Sequence, residues 1–267
     1  MNVSLSRNAS RLNPRTAQAR EHSAWSSGDY AVVGSALQTV GEELCETLNL
    51  FQDGRVLDVA VGNTHASMAA ARRWCDVTST DLAPDLSKRR RGDAENLGVR
   101  FIEADAEALP FGDQTFDAVI SAFGAMFSPD QERASSEMIR VCRRGCPVGL
   151  ANWTSEGFIG QVFAAAGSPQ APFLWGSEDR LQELFGVYGR IEATRKHVTF
   201  RHKSPADWVE KFRAAYAPVM KTFANLDANR QRALRGELVD IIGRYNEATD
   251  GTMSVCAEYL EVVVMRR

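Results

Sequence analysis

Short apolar runs alternate with longer segments whose apolar positions recur every three to four residues, and this alternation organises most of the chain. Runs at 55–59, 77–80, 99–102, 116–120 and 147–151 predict buried strands, and the 3.6-residue period between them predicts helices. Before the first run, Val33, Leu37, Val40, Leu44 and Leu48 fall on one helical face, which predicts an amphipathic helix feeding that strand. Strands that alternate with helices argue for a parallel sheet covered on both faces. Later in the chain, 190–202 and 259–265 read as two further strands. Between them Ser204 and Pro205 open a helical region with Trp208, Phe212, Ala215 and Tyr216 on one stripe, broken at Pro218. Residues from about 204 to 256 are therefore expected to be a helical insertion that contributes to a cap, within a single domain over 21–267.

Helix punctuation supports this order. Ser128 as cap, Pro129 at the first position, Gln131 completing a capping box and Gly145 beyond the end predict a helix before the 147–151 run. Ser177, followed by Glu178 and Asp179, predicts another with Leu181, Leu184 and Phe185 on its buried face.

At 267 residues and 44% apolar content, the chain can bury a full core. The formal net charge of -3 gives no general attraction to nucleic acid or to an anionic membrane, so small-molecule partners are expected. No apolar stretch approaches the length of a membrane span. Arg7, Arg11, Arg15 and Arg20 punctuate residues 1–20, which lack acidic residues. That composition is like a transit peptide but has no secretory core, and the segment is read as a flexible tail. The five cysteines are an odd number, scattered, and read as reduced thiols of a cytoplasmic protein. Cys142 and Cys146 have no partner pair nearby, so no metal site is expected. Nothing in the composition indicates an oligomeric state.

The chemistry concentrates in Arg55-Val-Leu-Asp-Val-Ala-Val-Gly-Asn-Thr-His65, a strand that breaks at Gly62 into an alanine-rich helix. Asp58, Asp81, Asp105, Ser121 and Asn152 each stand at or near the end of a predicted strand, and together they would line the carboxyl edge of one sheet. Asp81 follows Asp58 by 23 positions, near the spacing at which an acidic residue accepts ribose hydroxyls. The turn lacks the G-x-G-x-x-G pattern that brings backbone amides against a pyrophosphate, and Asp58 would repel one. A ligand with a ribose and cationic groups but no phosphate suits it better. S-adenosylmethionine has those features.

Val56-Leu-Asp-Val-Ala-Val-Gly62, Thr80-Asp-Leu-Ala-Pro84, Glu103-Ala-Asp-Ala-Glu-Ala-Leu-Pro-Phe111, Thr115-Phe-Asp-Ala-Val119 and Met138-Ile-Arg-Val-Cys-Arg-Arg-Gly145 stand in this order. Together they resemble the class I S-adenosylmethionine-dependent methyltransferases, in particular the bacterial branch related to ubiquinone and menaquinone methyltransferases. The resemblance runs from about residue 25 to 153. It implies an α/β, Rossmann-like seven-stranded sheet, mostly parallel with the last strand antiparallel. It also implies a cofactor site in which Asp58 and the turn carrying Ala60, Gly62, Asn63 and Thr64 lie along the methionine part. In that site Asp81 would bind the ribose, Leu82 would flank the adenine, Asp105 would bond its amino group beside Ala106, and Ser121 would lie near the sulfonium. The segment Gly28-Asp29-Tyr30 would close over the cofactor. Family members carry Gly-x-Gly-x-Gly where this chain has Ala60, Gly62 and Thr64, and His65 follows as a partly exposed histidine without a catalytic part.

Methyl transfer needs alignment more than a base, so the lack of an obvious catalytic residue is compatible with this reading. His197, His202 and Glu258 are the titratable candidates, and each is read as structural or surface-exposed. Trp25, Phe127 and Trp153, with the aromatics of 158–175 and those around Trp208 and Tyr216, are the candidate acceptor-binding residues. An aromatic cap without a basic patch points to a small planar or apolar acceptor, aromatic, quinone-like or a secondary metabolite. Two alternatives stand beside it. One is a protein that binds the cofactor without catalysis, and the other is a nicotinamide oxidoreductase, against which the missing glycine pattern argues.

Overall fold

The computed structural model describes residues 35–82 and 88–267; the tail over 1–20, Trp25, Tyr30, Val33 and Pro84 lie outside the described residues. Seven strands form one sheet: β1 (Arg55–Val59), β2 (Asp76–Asp81), β3 (Arg100–Glu103), β4 (Ala118–Ala122), β5 (Pro147–Trp153), β6 (Gly189–His202) and β7 (Met253–Arg266). Their order is β3-β2-β1-β4-β5-β7-β6. Pairing is parallel from β3 through β5, while β7 runs antiparallel to both β5 and β6. This is the Rossmann-like sheet with a reversed last strand that the family resemblance implies.

Successive side chains of a strand face opposite sides of the sheet, and here they feed two separate cores. Val56 of β1, with Ala118 and Ile120 of β4, packs with α1 (Gln38–Thr47) and α2 (His65–Ala71) on one face. Leu57, Val59 and Val119 point into the larger core on the other face, beside α4 (Gln131–Val141) and α5 (Phe158–Ala165). Between β2 and β3 runs α3 (Lys88–Asn96). The small residues of α2, His-Ala-Ser-Met-Ala-Ala-Ala, let α1 press against its first turn. A Cβ on Gly41 of α1 would lie 2.9 Å from the Ala66 nitrogen and 2.9 Å from the His65 carbonyl carbon.

Two expectations are corrected. The helix α4 starts at Gln131 and is capped by Asp130, whose carboxylate accepts the Arg133 amide at 2.9 Å. Ser128 is extended instead, because residues 125–127 already close a 3-10 turn. Second, β7 begins at Met253 and pairs along its whole length with β6, so Glu258 lies inside a strand and accepts Thr154 and Arg195. Residues 253–258 alternate buried and half-buried positions, a period-2 pattern whose polar side concealed the strand. Glu261 is buried in β7, where it accepts the Thr47 hydroxyl and Lys196, each at 2.8 Å.

The caps at Ser177 and Ser204 form as expected, accepting the amides of Arg180 and Asp207 at the starts of α6 (Glu178–Phe185) and α7 (Pro205–Ala215). Tyr216 turns extended and separates α7 from α8 (Ala217–Ala224), which α9 (Ala228–Tyr245) follows. These three helices sit between β6 and β7.

Gly41 and Gly236 form a contrasting pair. Gly41→Ala should destabilise the protein by about 1–3 kcal/mol, because its new methyl meets backbone that cannot move aside. Gly236→Ala, at an exposed position within α9 with nothing within 4 Å, should stabilise it by about 0.5–1 kcal/mol. Urea denaturation of the two variants checks both signs.

Candidate active site

The chain leaves β1 toward β2 on one side and leaves β4 toward β5 on the other, although β1 and β4 are neighbours. Loops that diverge at such a switch point open a crevice beyond the carboxyl ends of the strands. A cavity lies there. Its polar end is lined by Asp58, Ala60, Gly62, Asn63 and His65 from the β1 turn, by Asp81 and Leu82 after β2, and by Asp105 and Ala106 after β3.

The turn has an unusual backbone. Ala60, Gly62 and Thr64 have φ of 54°, 48° and 62°, so alternate residues are left-handed. Glycine reaches that region without steric cost, whereas alanine and especially a β-branched residue do not. The turn is held to β2 by the Val61 amide, which donates to the Thr80 carbonyl at 3.0 Å, and by the Gly62 amide, which donates to Asp81 Oδ2 at 3.0 Å. Gly124, just after β4, closes it from the other side: a Cβ there would come within 2.0 Å of the Ala60 oxygen.

Two expected cofactor residues are not brought to the cavity. Thr64 is fully buried with its hydroxyl 3.6 Å from Met68 Sδ, so its side chain points away from the crevice. Ser121 is buried beneath the floor, donating to the Val59 carbonyl at 2.7 Å and accepting the Ala125 amide at 2.9 Å. It ties β1 to the loop after β4. His65, expected to be partly exposed, is only 5% exposed and lines the cavity.

Asp58 is buried and pushed up to about 7 by the loss of hydration, reinforced by the nearby negative charge of Asp81. The Ser67 hydroxyl donates to it at 2.5 Å and lies 2.7 Å from Ser79 Oγ, which opposes that rise without cancelling it. Asp105 folds its own loop, accepting the Glu107 amide at 2.9 Å.

The other end of the cavity is aromatic. Phe123, Phe127, Trp153, Phe163, Phe200, Phe212 and Tyr216 all line it, with Ile159. Phe127 and Trp153 were legible as candidates, and so were Phe163 and Tyr216 by segment. Phe212 falls in the same expected segment as Tyr216, whereas Phe123 and Phe200 carry no local signal for the site, because only the fold brings β4, β6 and α7 to one wall. Trp208 stands behind that wall, stacked on Phe212 at 4.6 Å, and Phe158, Phe173 and Trp175 are core. His197 is exposed on β6, and His202 faces Asp207 at 3.5 Å. Neither lines the cavity.

The residues present fit S-adenosylmethionine. Asn63 Oδ1 is buried without a hydrogen-bonding partner, an acceptor that a ligand N–H or O–H would satisfy. Three carboxylates face the same end, where the ligand would bring cationic and hydroxyl groups. Among the described residues, no His, Cys, Asp and Glu cluster could hold a metal ion, and no helix is long and apolar enough to cross a membrane.

This sheet order and this crevice define the Rossmann-like methyltransferases. Residues 57–148 match the family model described as "Methyltransferase domain". The uncharacterized protein Rv1405c of Mycobacterium tuberculosis is 34% identical over 95% of this chain and 96% of its own length. Demethylmenaquinone methyltransferase of Thermus thermophilus is 37% identical over half of this chain and 62% of its own. Among solved structures, the YcgJ protein from Bacillus superposes with a TM-score of 0.62 at 17% identity, covering 86% of this chain and 99% of that one. The chain belongs to the class I S-adenosylmethionine-dependent methyltransferases, with S-adenosylmethionine as its cofactor.

Asp58 generates a pH prediction. With its folded pKa near 7 and an unfolded value of about 4, the native state holds a proton that the unfolded chain releases. Stability from this group is complete below about pH 4 and is lost as pH rises toward about 7. Asp58→Asn removes the titration, so its melting temperature relative to the wild type should climb from pH 4 to pH 7. A constant difference across that range would reject the raised pKa.

Proposed function

We propose that the protein methylates a small, planar, largely apolar acceptor, phenolic or quinol-like in character. The observation that carries this reading is the division of the cavity. Its carboxylates and imidazole (Asp58, Asp81, Asp105 and His65) come from β1 and the start of the helix after it and from the ends of β2 and β3, whereas the aromatic end holds no carboxylate, amine, guanidinium or imidazole and only the Tyr216 phenol. A charged acceptor would have to shed its hydration against rings that return no ion pair. A flat apolar one would be matched in surface and shape. The demethylmenaquinone methyltransferase relative supports a ring acceptor by its name alone.

In this reading Asp58 faces the ammonium group of the cofactor, Asn63 accepts a hydrogen bond from its methionine part, and Asp81 accepts the ribose hydroxyls. Leu82 and Ala106 flank the adenine, with Asp105 receiving its amino group. Gly62 has no side chain to obstruct the ligand, and its amide orients Asp81. Bound S-adenosylmethionine supplies an electrophilic methyl carbon on sulfur. Its methyl would be taken up by a nucleophilic atom of the acceptor, with the neutral thioether as the leaving group and the acceptor's proton lost. The residues of this chain contribute alignment within about 3 Å and exclusion of water, which can account for much of the barrier reduction. The helices α7 to α9, between β6 and β7, act as the substrate cap, since Phe212 and Tyr216 of that region line the cavity.

Assaying methyl transfer across phenols, quinols and aliphatic amines tests the acceptor. Turnover should be confined to the planar members. Preference for the aliphatic amines would overturn the reading, and tight cofactor binding without turnover on any member would favour a binding protein.

The Asp58 assignment has its own test. An ammonium beside Asp58 favours the carboxylate, so S-adenosylhomocysteine binding should release a proton near pH 6.5, and affinity should rise with pH through about 7. Calorimetry in buffers of different ionisation enthalpy measures this. Binding with no proton released would remove Asp58 from that role.

A further inference from the structure

Phe123 is the residue that joins the two ends of the cavity. It follows β4 directly, and its φ of 60° places a bulky side chain in the left-handed region, where such residues are outliers. Backbone strain of this kind persists only where the surroundings over-determine it, and here they do. The Phe123 amide donates to the Ala151 carbonyl of β5 at 2.8 Å, and the next residue, Gly124, is the one held against the Ala60 oxygen of the cofactor turn. The backbone is thus fixed on both sides of the ring.

The ring itself is equally constrained. Trp153 covers one face of Phe123, with centroids 3.9 Å apart and planes 10° from parallel. Tyr259 of β7 meets both rings edge-on, at 5.6 Å and 78° for Phe123 and at 6.4 Å and 81° for Trp153. Behind them the Tyr259 hydroxyl donates to Glu43 of α1 at 3.2 Å. Trp153 is 6% exposed and Tyr259 fully buried, while Phe123 keeps partial exposure and lines the cavity.

From this geometry we infer that the Phe123–Trp153 stack is the specificity platform of the enzyme: the uncovered face of Phe123 receives the flat ring of the acceptor and sets its plane relative to the cofactor turn. The inference rests on the planar-acceptor reading above and adds the residue that selects for planarity. An acceptor stacked there extends an existing pile of parallel rings, whereas a branched aliphatic acceptor cannot. Tyr259 is a positioning residue, since it touches the platform and not the cavity.

Phe123→Leu keeps apolar bulk and removes the π face; Trp153→Phe keeps a ring and shortens the stack. The probes are S-adenosylhomocysteine by calorimetry and a simple planar phenol or quinol that the wild type methylates. Phe123→Leu should raise the acceptor KM by about three- to tenfold, the range expected for one aromatic pair, with the S-adenosylhomocysteine Kd unchanged within about twofold. Trp153→Phe should raise KM less, and Tyr259→Phe should lower kcat with little change in acceptor KM. Acceptor KM values equal to wild type in both platform variants would overturn the inference. So would a parallel loss of cofactor and acceptor binding, which marks a structural part only. A wild type that methylates no planar acceptor would instead sink the acceptor reading itself, and the platform with it. Melting temperatures keep the test valid if a variant folds poorly: Phe123→Gly, which relaxes the left-handed backbone, should melt above Phe123→Ala.

Discussion

The close approach of the Ala60 carbonyl to Gly124 is the contact on which the site depends. It brings the turn after β1 against the loop after β4 at the point where the sheet order reverses, with no space for a side chain between them. From that contact, the left-handed run at 60, 62 and 64 shapes the polar end of the cavity on one side. On the other, Phe123 lines the aromatic end. One backbone contact therefore fixes how the polar end and the aromatic end of the cavity lie relative to each other, which is what the proposed in-line transfer requires.

The cofactor end is electrostatically costly in the absence of ligand. Asp58 is buried with Asp81 close enough to raise its pKa, and the Ser67 hydroxyl compensates only part of the lost hydration. A buried carboxylate poised near neutrality favours a cationic ligand, because binding converts an unfavourable burial into an ion pair. The same argument disfavours a pyrophosphate, and it does so from charge alone, without appeal to glycine spacing.

The aromatic end is built differently, from rings that support one another. Trp208, Phe212 and Tyr216 stack along α7, and Phe123, Trp153 and Tyr259 interlock across β4, β5 and β7. Through the Tyr259–Glu43 and Thr47–Glu261 hydrogen bonds, α1 is tied to β7. Leu37, immediately before that helix, also lines the cavity. The start of the described chain is thereby coupled to the aromatic wall by partly buried polar contacts that hydrophobic patterning does not reveal.

Local chemistry was readable from the sequence wherever a residue's role depended on its near neighbours. The period of the apolar runs set the strand count and the parallel sheet, Ser177 and Ser204 announced their helices, and Asp58, Asp81 and Asp105 declared a polar edge. Gly62 marked the turn, although nothing local showed that Ala60 and Thr64 share its left-handed backbone. Roles that depended on distant packing were decided by the tertiary structure. Ser121 and Thr64 stand next to cavity-lining residues in sequence yet are buried away from the cavity: alternate side chains of a strand point to opposite faces, and the Thr64 hydroxyl turns onto Met68 of the helix that follows. Phe123, Phe200 and Phe212 come from three elements with no shared motif, and only the closing of the sheet and its cap makes them one wall. The sequence by itself determined the family, the cofactor and the carboxylates of the polar edge. The fold alone decided which aromatic rings share a cavity with them, since that depends on long-range contacts between β4, β6 and α7.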